Sequence, residues 1–355
     1  LQAKALWQEF DWRSYCVSDS AEKYFVQVRQ LAVSYSSQGG NPVCALDGLS
    51  IEIRAGEIIG VLGESGCGKS TLASALLRLL PPNARCEAGS ILVRGRDLLS
   101  LSESELRAIR GREISLIPQD PALALNPLMT VGSQVGEVLR AHLPLRAEQR
   151  RARVNELLRE VGFAHPDEIY SAYPHQLSGG QRQRIVIAQA VACRPALLIA
   201  DEPTSKLDSI LRAEIVALMS QMRRQHGTAI LVVSHDPALF PGFADRIAVI
   251  YAGRIVEIGS SAEILGRPLH PYTQALVRLS ISTVMSTEMT TVTAEPGGKA
   301  RLPAIEGESL DPTCMPVGCR FAPRCSERME ICSRRFPPEF LSETSRSVNC
   351  FKYGE

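Results

Sequence analysis

The sequence predicts an α/β fold on a largely parallel sheet, and three observations carry that expectation. Between Tyr24 and about Gly259, apolar runs of strand length alternate with segments of helical periodicity. One strand-to-helix junction, at 63–71, is the glycine-rich run GESGCGKST. The 355 residues, 45% hydrophobic and 22% charged, suffice for one large core plus a smaller unit, or for two domains.

Taken in chain order, EIIGVLG (57–63) reads as a buried strand ending in glycine, and KSTLASALLRLL (69–80) as the amphipathic helix that follows. RAEQRRARVNELLREVGF (146–163) is a second helix with its charges on a solvated face. PALLIAD (195–201) and TAILVVSH (228–235) are two more buried strands, and RIAVIYAGRIVEIG (246–259) reads as a hairpin about Ala252-Gly253. Past HPYTQALVRLS (270–280) the texture changes. ISTVMSTEMTTVTAEPGGKA (281–300) is rich in Ser and Thr and reads as a loop or linker. The expected organisation is an N-terminal segment (1–23), a main domain (24–259) and a C-terminal unit (260–355). No repeat of 20–50 residues is present.

A formal net charge of +1 leaves no electrostatic footprint for nucleic acid or an anionic membrane surface. No apolar run approaches the ~18–20 residues that cross a bilayer. Residue 1 is Leu, and the first twenty residues lack the basic-then-apolar layout of a secretory signal. The expected compartment is the cytoplasm, where disulfides are disfavoured.

GESGCGKST fits G-x-x-x-x-G-K-[ST] in the context that gives the pattern meaning, after a strand and opening a helix. Phosphates need close backbone approach, hence Gly63, Gly66 and Gly68, with Glu64, Ser65 and Cys67 between them. The free N–H groups and dipole of the helix start favour an anion. Lys69 would reach the β- and γ-phosphates, and Ser70, beside Thr71, would ligate Mg²⁺. Cys67 reads as a small filler. A second element, LLIADEP (197–203), brings Asp201 and Glu202 to the polar end of a buried strand. There Asp201 would hold Mg²⁺ through its outer shell and Glu202 would polarise a water. A third, LSGGQRQR (177–184), opens a helix with Ser178, Gly179, Gly180 and Gln181. It is a second anion-binding helix start in one chain, which suggests a site completed across a dimer.

With these motifs in this order, residues 25–280 resemble an ABC-type ATPase subunit. The resemblance implies a RecA-like core, a helical subdomain at about 120–190 and an antiparallel β subdomain, with ATP and Mg²⁺ as cofactors. Tyr35 would stack on adenine, and Gln119 in IPQDP would be the Q-loop glutamine, sensing the phosphate and contacting Mg²⁺. LSGGQ would be the signature, LLIADE the Walker B strand, SKLD (205–208, with Asp208) the D-loop, and His235 the switch histidine. Such ATPases close head to tail, so Ser178, Gly179, Gly180 and Gln181 would serve the partner's nucleotide, while Glu202, His235 and Gln119 would be catalytic. One departure is Lys206, where the family usually has a small Ala. A cation there would face either the partner's site or solvent.

QDPALALNPLMTVGSQVGEVLRAH (119–142), HPYTQALVRLS and GCRFAPRC (318–325) further resemble the ATPase subunits of oligopeptide, dipeptide and nickel importers. That implies a peripheral subunit on the cytoplasmic face of the inner membrane. It would pair with a second, related ATPase chain as a heterodimer, beneath two membrane-spanning permease subunits fed by an extracytoplasmic binding protein. The rival reading is a soluble ABC ATPase acting on nucleic acid or ribosomes. A single cassette and near-neutral charge argue against it.

Half of the ten cysteines fall in the last forty-two residues. Disulfides, zinc and an iron–sulfur centre are each open to four thiols, although zinc usually arrives as two short C-x₂₋₄-C pairs, which are missing here. The resemblance implies a [4Fe–4S] cluster on Cys319, Cys325, Cys332 and Cys350, with Cys314 a spare thiol. Arg320 and Arg324 would offset part of its negative charge.

Overall fold

The computed structural model describes residues 24–36, 41–288, 305, 307–308, 310–311, 313–341 and 346–354. The expected N-terminal segment and Cys16 lie outside them, as does most of the expected linker.

The first elements are β1 (Val26–Tyr35), β2 (Val43–Ile53), β3 (Ile58–Leu62), α1 (Lys69–Leu76), β4 (Ala84–Val93), β5 (Arg96–Asp97), α2 (Glu103–Ile109) and β6 (Ile114–Ile117). Five helices follow: α3 (Pro121–Ala124), α4 (Val131–His142), α5 (Ala147–Glu160), α6 (Pro166–Ser171) and α7 (Gly179–Val191). The chain then returns to the core through β7 (Leu197–Asp201), α8 (Ser209–His226), β8 (Ala229–Ser234), β9 (Arg246–Tyr251) and β10 (Arg254–Ser260). It ends with α9 (Ser261–Gly266), α10 (Pro271–Glu288), α11 (Ile331–Arg334), β11 (Phe340–Leu341) and β12 (Ser347–Val348).

Two sheets result. One is antiparallel, in the order β2-β1-β4-β5; the other runs β11-β12-β10-β9-β3-β8-β7-β6. The pairs β3–β8, β3–β9, β7–β8 and β6–β7 are parallel. Apart from Ser115 and the end residues Asp201, Ser234 and Arg246, these strands are apolar, because both faces are covered. Ile58, Leu198, Ile230 and Val232 pack with the helical region, whereas Ile59, Ile199, Leu231 and Val233 pack with α1 and the antiparallel sheet. Each such fully buried aliphatic side chain stabilises the core by about 1.5–3 kcal/mol. The sandwich fixes the ends of β3, β7 and β8 side by side, and the loops that leave those ends carry the motifs.

Two sequence expectations need adjustment. The helix expected over 69–80 ends at Leu76, because Arg78 takes a left-handed φ of 50° and Leu79 N–H turns back to Ser74 O at 2.8 Å. The expected loop over 281–300 is helical as far as Glu288; no Pro or Gly interrupts 281–288, so the Ser/Thr content alone does not break α10. The expected C-terminal unit meets the main domain through the sheet. β12 pairs with β10 (Glu257 opposite Val348), continuing the main sheet. Arg346, 6% exposed, anchors that junction on Glu257, which is fully buried and also accepts from Leu269 N–H and His270 N–H at 2.9 and 3.0 Å.

Candidate active site

The polar ends of β3, β7 and β8 converge on a cleft of about 490 Å³. Its lining includes Tyr35, Ser65, Gly66, Gly68, Lys69, Ser70, Thr71, Gln119 and Glu202, nine of the residues picked out in the sequence. Gly68 caps α1 in a left-handed conformation (φ 107°) and lies so close to β2 that a Cβ would stand 2.4 Å from Ala45 O. Gly66 (φ 81°) is the opposite case: a Cβ there would meet nothing within 4 Å. The first glycine lets the loop pack; the second leaves its open face free for a ligand. Lys69 is buried, and its ammonium donates to the carbonyls of Gly63 and Glu64, both at 2.8 Å.

Ser70 Oγ donates to Asp201 Oδ1 at 3.2 Å. Burial pushes the Asp201 carboxyl above its ordinary range, with the neighbouring Glu202 adding to that effect. A hydroxyl beside a desolvated carboxylate is a hard oxygen set suited to Mg²⁺, and Gln119 lines the same cleft. Next along the chain, Glu202 is 8% exposed and holds φ at 49° with a full side chain. That conformation costs of order 1–3 kcal/mol and persists because its N–H is tied to Val233 O at 3.0 Å. His235 Nδ1, from the loop after β8, lies 2.8 and 2.9 Å from the two Glu202 oxygens. A carboxylate and an imidazole thus sit beside a phosphate loop and an Mg²⁺-type oxygen pair.

Tyr35 ends β1 with its hydroxyl 3.1 Å from Thr71 Oγ1. Neighbouring walls come from Val43, Cys44, Ala45, Ala252, Leu310 and Met315, none of which the sequence motifs indicate. They are brought in from β2, the β9–β10 turn and the C-terminal region, so only the fold reveals them.

Other expected residues do not reach this cleft. Cys67 is buried behind the loop, 3.9 Å from Lys69 Nζ, and burial pushes its thiol up. Glu64 turns its carboxylate away to Arg324, at 2.8 and 3.1 Å, and its N–H donates to Tyr272 Oη at 2.8 Å. Asp208 caps α8, accepting from Ile210 and Leu211 N–H at 3.0 and 2.9 Å, the ordinary work of a helix N-cap. Ser178, Gly179, Gly180 and Gln181 are absent from the lining. Ser178 and Gln181 form a capping box at the start of α7, and Gly179 is open enough that a Cβ would meet nothing within 4 Å. The exposed Lys206 ammonium is paired 2.5 Å from Asp120 Oδ2, next to Gln119.

The C-terminal thiols of Cys319, Cys325, Cys332 and Cys350 are neighbours. Burial raises Cys319 to about 11 and also raises Cys325 and Cys350, and each is raised further by others of the quartet. Cys319 N–H donates to Cys332 O at 2.7 Å. Among the described residues, no three His, Cys, Asp or Glu side chains are disposed to hold a single metal ion. Neither the zinc alternative nor the expected [4Fe–4S] cluster therefore has a fitted site among the described residues. Arg320 and Arg324 do not serve as counter-charges to the thiols, since Asp47 and Glu64 take them.

Comparison with known proteins agrees with the geometry. The ABC transporter family model matches residues 46–205, and the model of the oligopeptide/dipeptide transporter C-terminal region matches 256–332. The dipeptide transport ATP-binding protein DppD of Bacillus subtilis is 41% identical, over 92% of this chain and 94% of its own length. This chain belongs to the ATP-binding proteins of oligopeptide/dipeptide ABC transporters. The Escherichia coli oligopeptide transport ATP-binding protein OppD is 39% identical over 92% of the chain and 93% of its own length. A solved dimeric post-hydrolysis state of the ATP-binding cassette MJ0796, bound to ADP and Pi, is 28% identical with a TM-score of 0.61. It spans 66% of this chain and 98% of its own. The fold is that of an ABC ATPase, and ATP hydrolysis is the activity expected of it. Among the described residues, no helix is long and apolar enough to cross a membrane.

Proposed function

We propose that this chain hydrolyses MgATP to energise the import of dipeptides or oligopeptides, as a peripheral subunit on the cytoplasmic face of a membrane. The observation that carries the proposal is the strained Glu202 paired with His235 beside Lys69 and Ser70 in one cleft. In this reading the helix start and the glycines bind the ATP phosphates, Tyr35 stacks on the base, and Ser70 with Gln119 and Asp201 holds Mg²⁺. The metal supplies charge neutralisation on the transferred phosphoryl group. Glu202 polarises the attacking water, and His235 orients it and bonds the γ-phosphate.

Ser178, Gly179, Gly180 and Gln181 do not line the cleft that holds Lys69 and Ser70, although Gly179 borders a neighbouring pocket with Gln119 and Glu202; in this reading they complete a site shared head to tail with a second ATPase subunit, here proposed as a related but distinct chain. Closure on ATP and reopening after hydrolysis would then move the loop at Gln119 against two permease subunits fed by an external binding protein. Peptides are favoured over nickel chelates because relatives of nearly full-length similarity are named for dipeptides and oligopeptides. The soluble reading, with nucleic acid or ribosomes as target, draws no support from those relatives. Purification from membranes decides between them: co-purification with two membrane-spanning subunits and ATP-dependent peptide uptake are expected, whereas a chain that associates only with ribosomes or nucleic acid would overturn the proposal.

For the tail, we read the quartet Cys319, Cys325, Cys332 and Cys350 as ligands of a [4Fe–4S] centre. The reading rests on the four-cysteine resemblance and on the mutual charge effects that make these thiols neighbours. Such a centre would supply a structural cross-link between α11 and the two flanking loops. Iron and sulfide in anaerobically purified protein are expected; zinc, or neither, would remove the assignment.

A further inference from the structure

We propose that Arg324, with Tyr272, is a positioning residue for the phosphate loop, so that the C-terminal region forms part of the ATP site. The inference rests on the ATP reading above and extends it to a residue that no nucleotide-binding motif contains.

Glu64 lies two residues past the end of β3, in the loop itself. Its carbonyl accepts from Lys69 Nζ at 2.8 Å and from Cys67 N–H at 3.3 Å, both within that loop. The other two holds come from more than two hundred residues away. Tyr272 Oη, on the first turn of α10, accepts the Glu64 N–H at 2.8 Å. Arg324 donates from both terminal nitrogens to the two carboxylate oxygens, at 2.8 and 3.1 Å. This is the two-pronged geometry that fixes direction as well as distance. Both holders are rigid: Tyr272 is fully buried and the Arg324 side chain is 5% exposed. The Phe321 ring packs 5.2 Å from Tyr251 and 5.4 Å from Tyr272, and ties them together.

A second tie flanks the first. Arg320 binds Asp47 and the Ala252 carbonyl. The next residue, Gly253, donates its N–H to Cys67 O at 2.8 Å on the far side of the same loop. The short segment from Cys319 to Cys325 therefore braces the phosphate loop at both ends.

Charge gives Arg324 a role beyond bracing. Glu64 carries a carboxylate two residues from Gly66, and the Arg324 fork is what keeps it turned from the cleft that is to receive a polyphosphate. Unpaired, it would repel that ligand; paired with a guanidinium it is neutralised. Removing Arg324 then both loosens the loop and exposes a like charge to the nucleotide. Removing the Glu64 charge as well should undo the second effect.

The test is a double-substitution cycle on the whole chain, reading the dissociation constant of MgATP by titration and kcat and KM separately. Arg324→Ala should weaken MgATP binding by about tenfold or more and raise KM with a smaller change in kcat. Glu64→Gln alone loses the fork but not the guanidinium and should weaken binding less than Arg324→Ala, and the combination should recover part, not all, of the Arg324→Ala loss. Arg324→Lys, which keeps the charge but not the fork, should give an intermediate loss and serves if the alanine variant does not fold. Wild-type affinity in the folded Arg324 variants, or no recovery on adding Glu64→Gln, would overturn the proposal. Lys69→Ala in the same titration keeps the two readings apart: if it abolishes binding, the ATP assignment stands whatever Arg324 does.

Discussion

Gly66 and Gly68 lie two residues apart, yet alanine should act on them in opposite ways. Both hold left-handed backbone, at φ 81° and 107°. An L residue in that region costs about 1–2 kcal/mol. At Gly66 nothing further is lost, because the added methyl meets no protein atom within 4 Å. At Gly68 the methyl would stand 2.4 Å from Ala45 O and 2.9 Å from Leu46 Cδ2, so β2 must move or the cap of α1 must open. Gly66→Ala should therefore unfold in urea within about 2 kcal/mol of wild type. Its ATP affinity should fall at least about tenfold, roughly 1.4 kcal/mol, because the methyl fills the face that phosphates approach. Gly68→Ala should lose clearly more stability. Nucleotide-free urea denaturation gives the first quantity, and titration with a fluorescent ATP analogue gives the second. If Gly66→Ala binds ATP as wild type does, or is the less stable of the two, the assignment of the open face is wrong.

Three further expectations concern titratable groups. His270 is fully buried, accepts Tyr272 N–H on Nδ1 at 3.1 Å, and burial pushes it down to about 3. The unfolded chain takes up a proton near pH 6.5 that the folded chain refuses. Stability should thus fall as pH drops from 6.5 toward 3, by about 1.4 kcal/mol per unit from this residue. His270→Gln should flatten urea-unfolding stability against pH by one proton, and an unchanged slope would count against that burial. Asp201 is raised by burial, so its contribution to stability is full below the unfolded carboxyl's titration, falls as pH rises toward the folded one and stays lowered above it. Asp201→Asn should therefore make the nucleotide-free protein more stable at pH 7 while weakening the Mg²⁺ dependence of ATP binding; a destabilised variant would contradict this. Lys206 holds the Asp120 carboxyl below the usual range through their hydrogen bond. In Lys206→Ala the Asp120 carbon resonance should titrate at higher pH, and an identical curve would mean the pair does not persist in solution.

What the sequence revealed follows a physical pattern. The buried strands around β3, β7 and β8 were legible because parallel strands covered on both faces are almost wholly apolar. The phosphate loop was legible because phosphate needs glycines at fixed spacing. Contacts made across the fold left no such mark. Nothing in the local sequence of Glu64 announces Arg324, and Met315 and Leu310 enter the cleft only because the C-terminal region folds back over it. Asp208 shows how a motif position can also carry a local task. A motif position suggested nucleotide contact, but in its own chain the side chain spends both hydrogen bonds on a helix end. The loop expected at 281–288 was misjudged for a similar reason, since Ser and Thr disfavour a helix only weakly when no Pro or Gly intervenes.

The central claim is that Glu202, held by His235 beside the phosphate loop, drives ATP hydrolysis. Single-turnover hydrolysis of bound MgATP by Glu202→Gln in the assembled transporter tests it most directly. The account predicts ATP bound with near wild-type affinity, hydrolysis slowed by about 10²–10⁴-fold, and a stable ATP-closed dimer. Hydrolysis at the wild-type rate would contradict it.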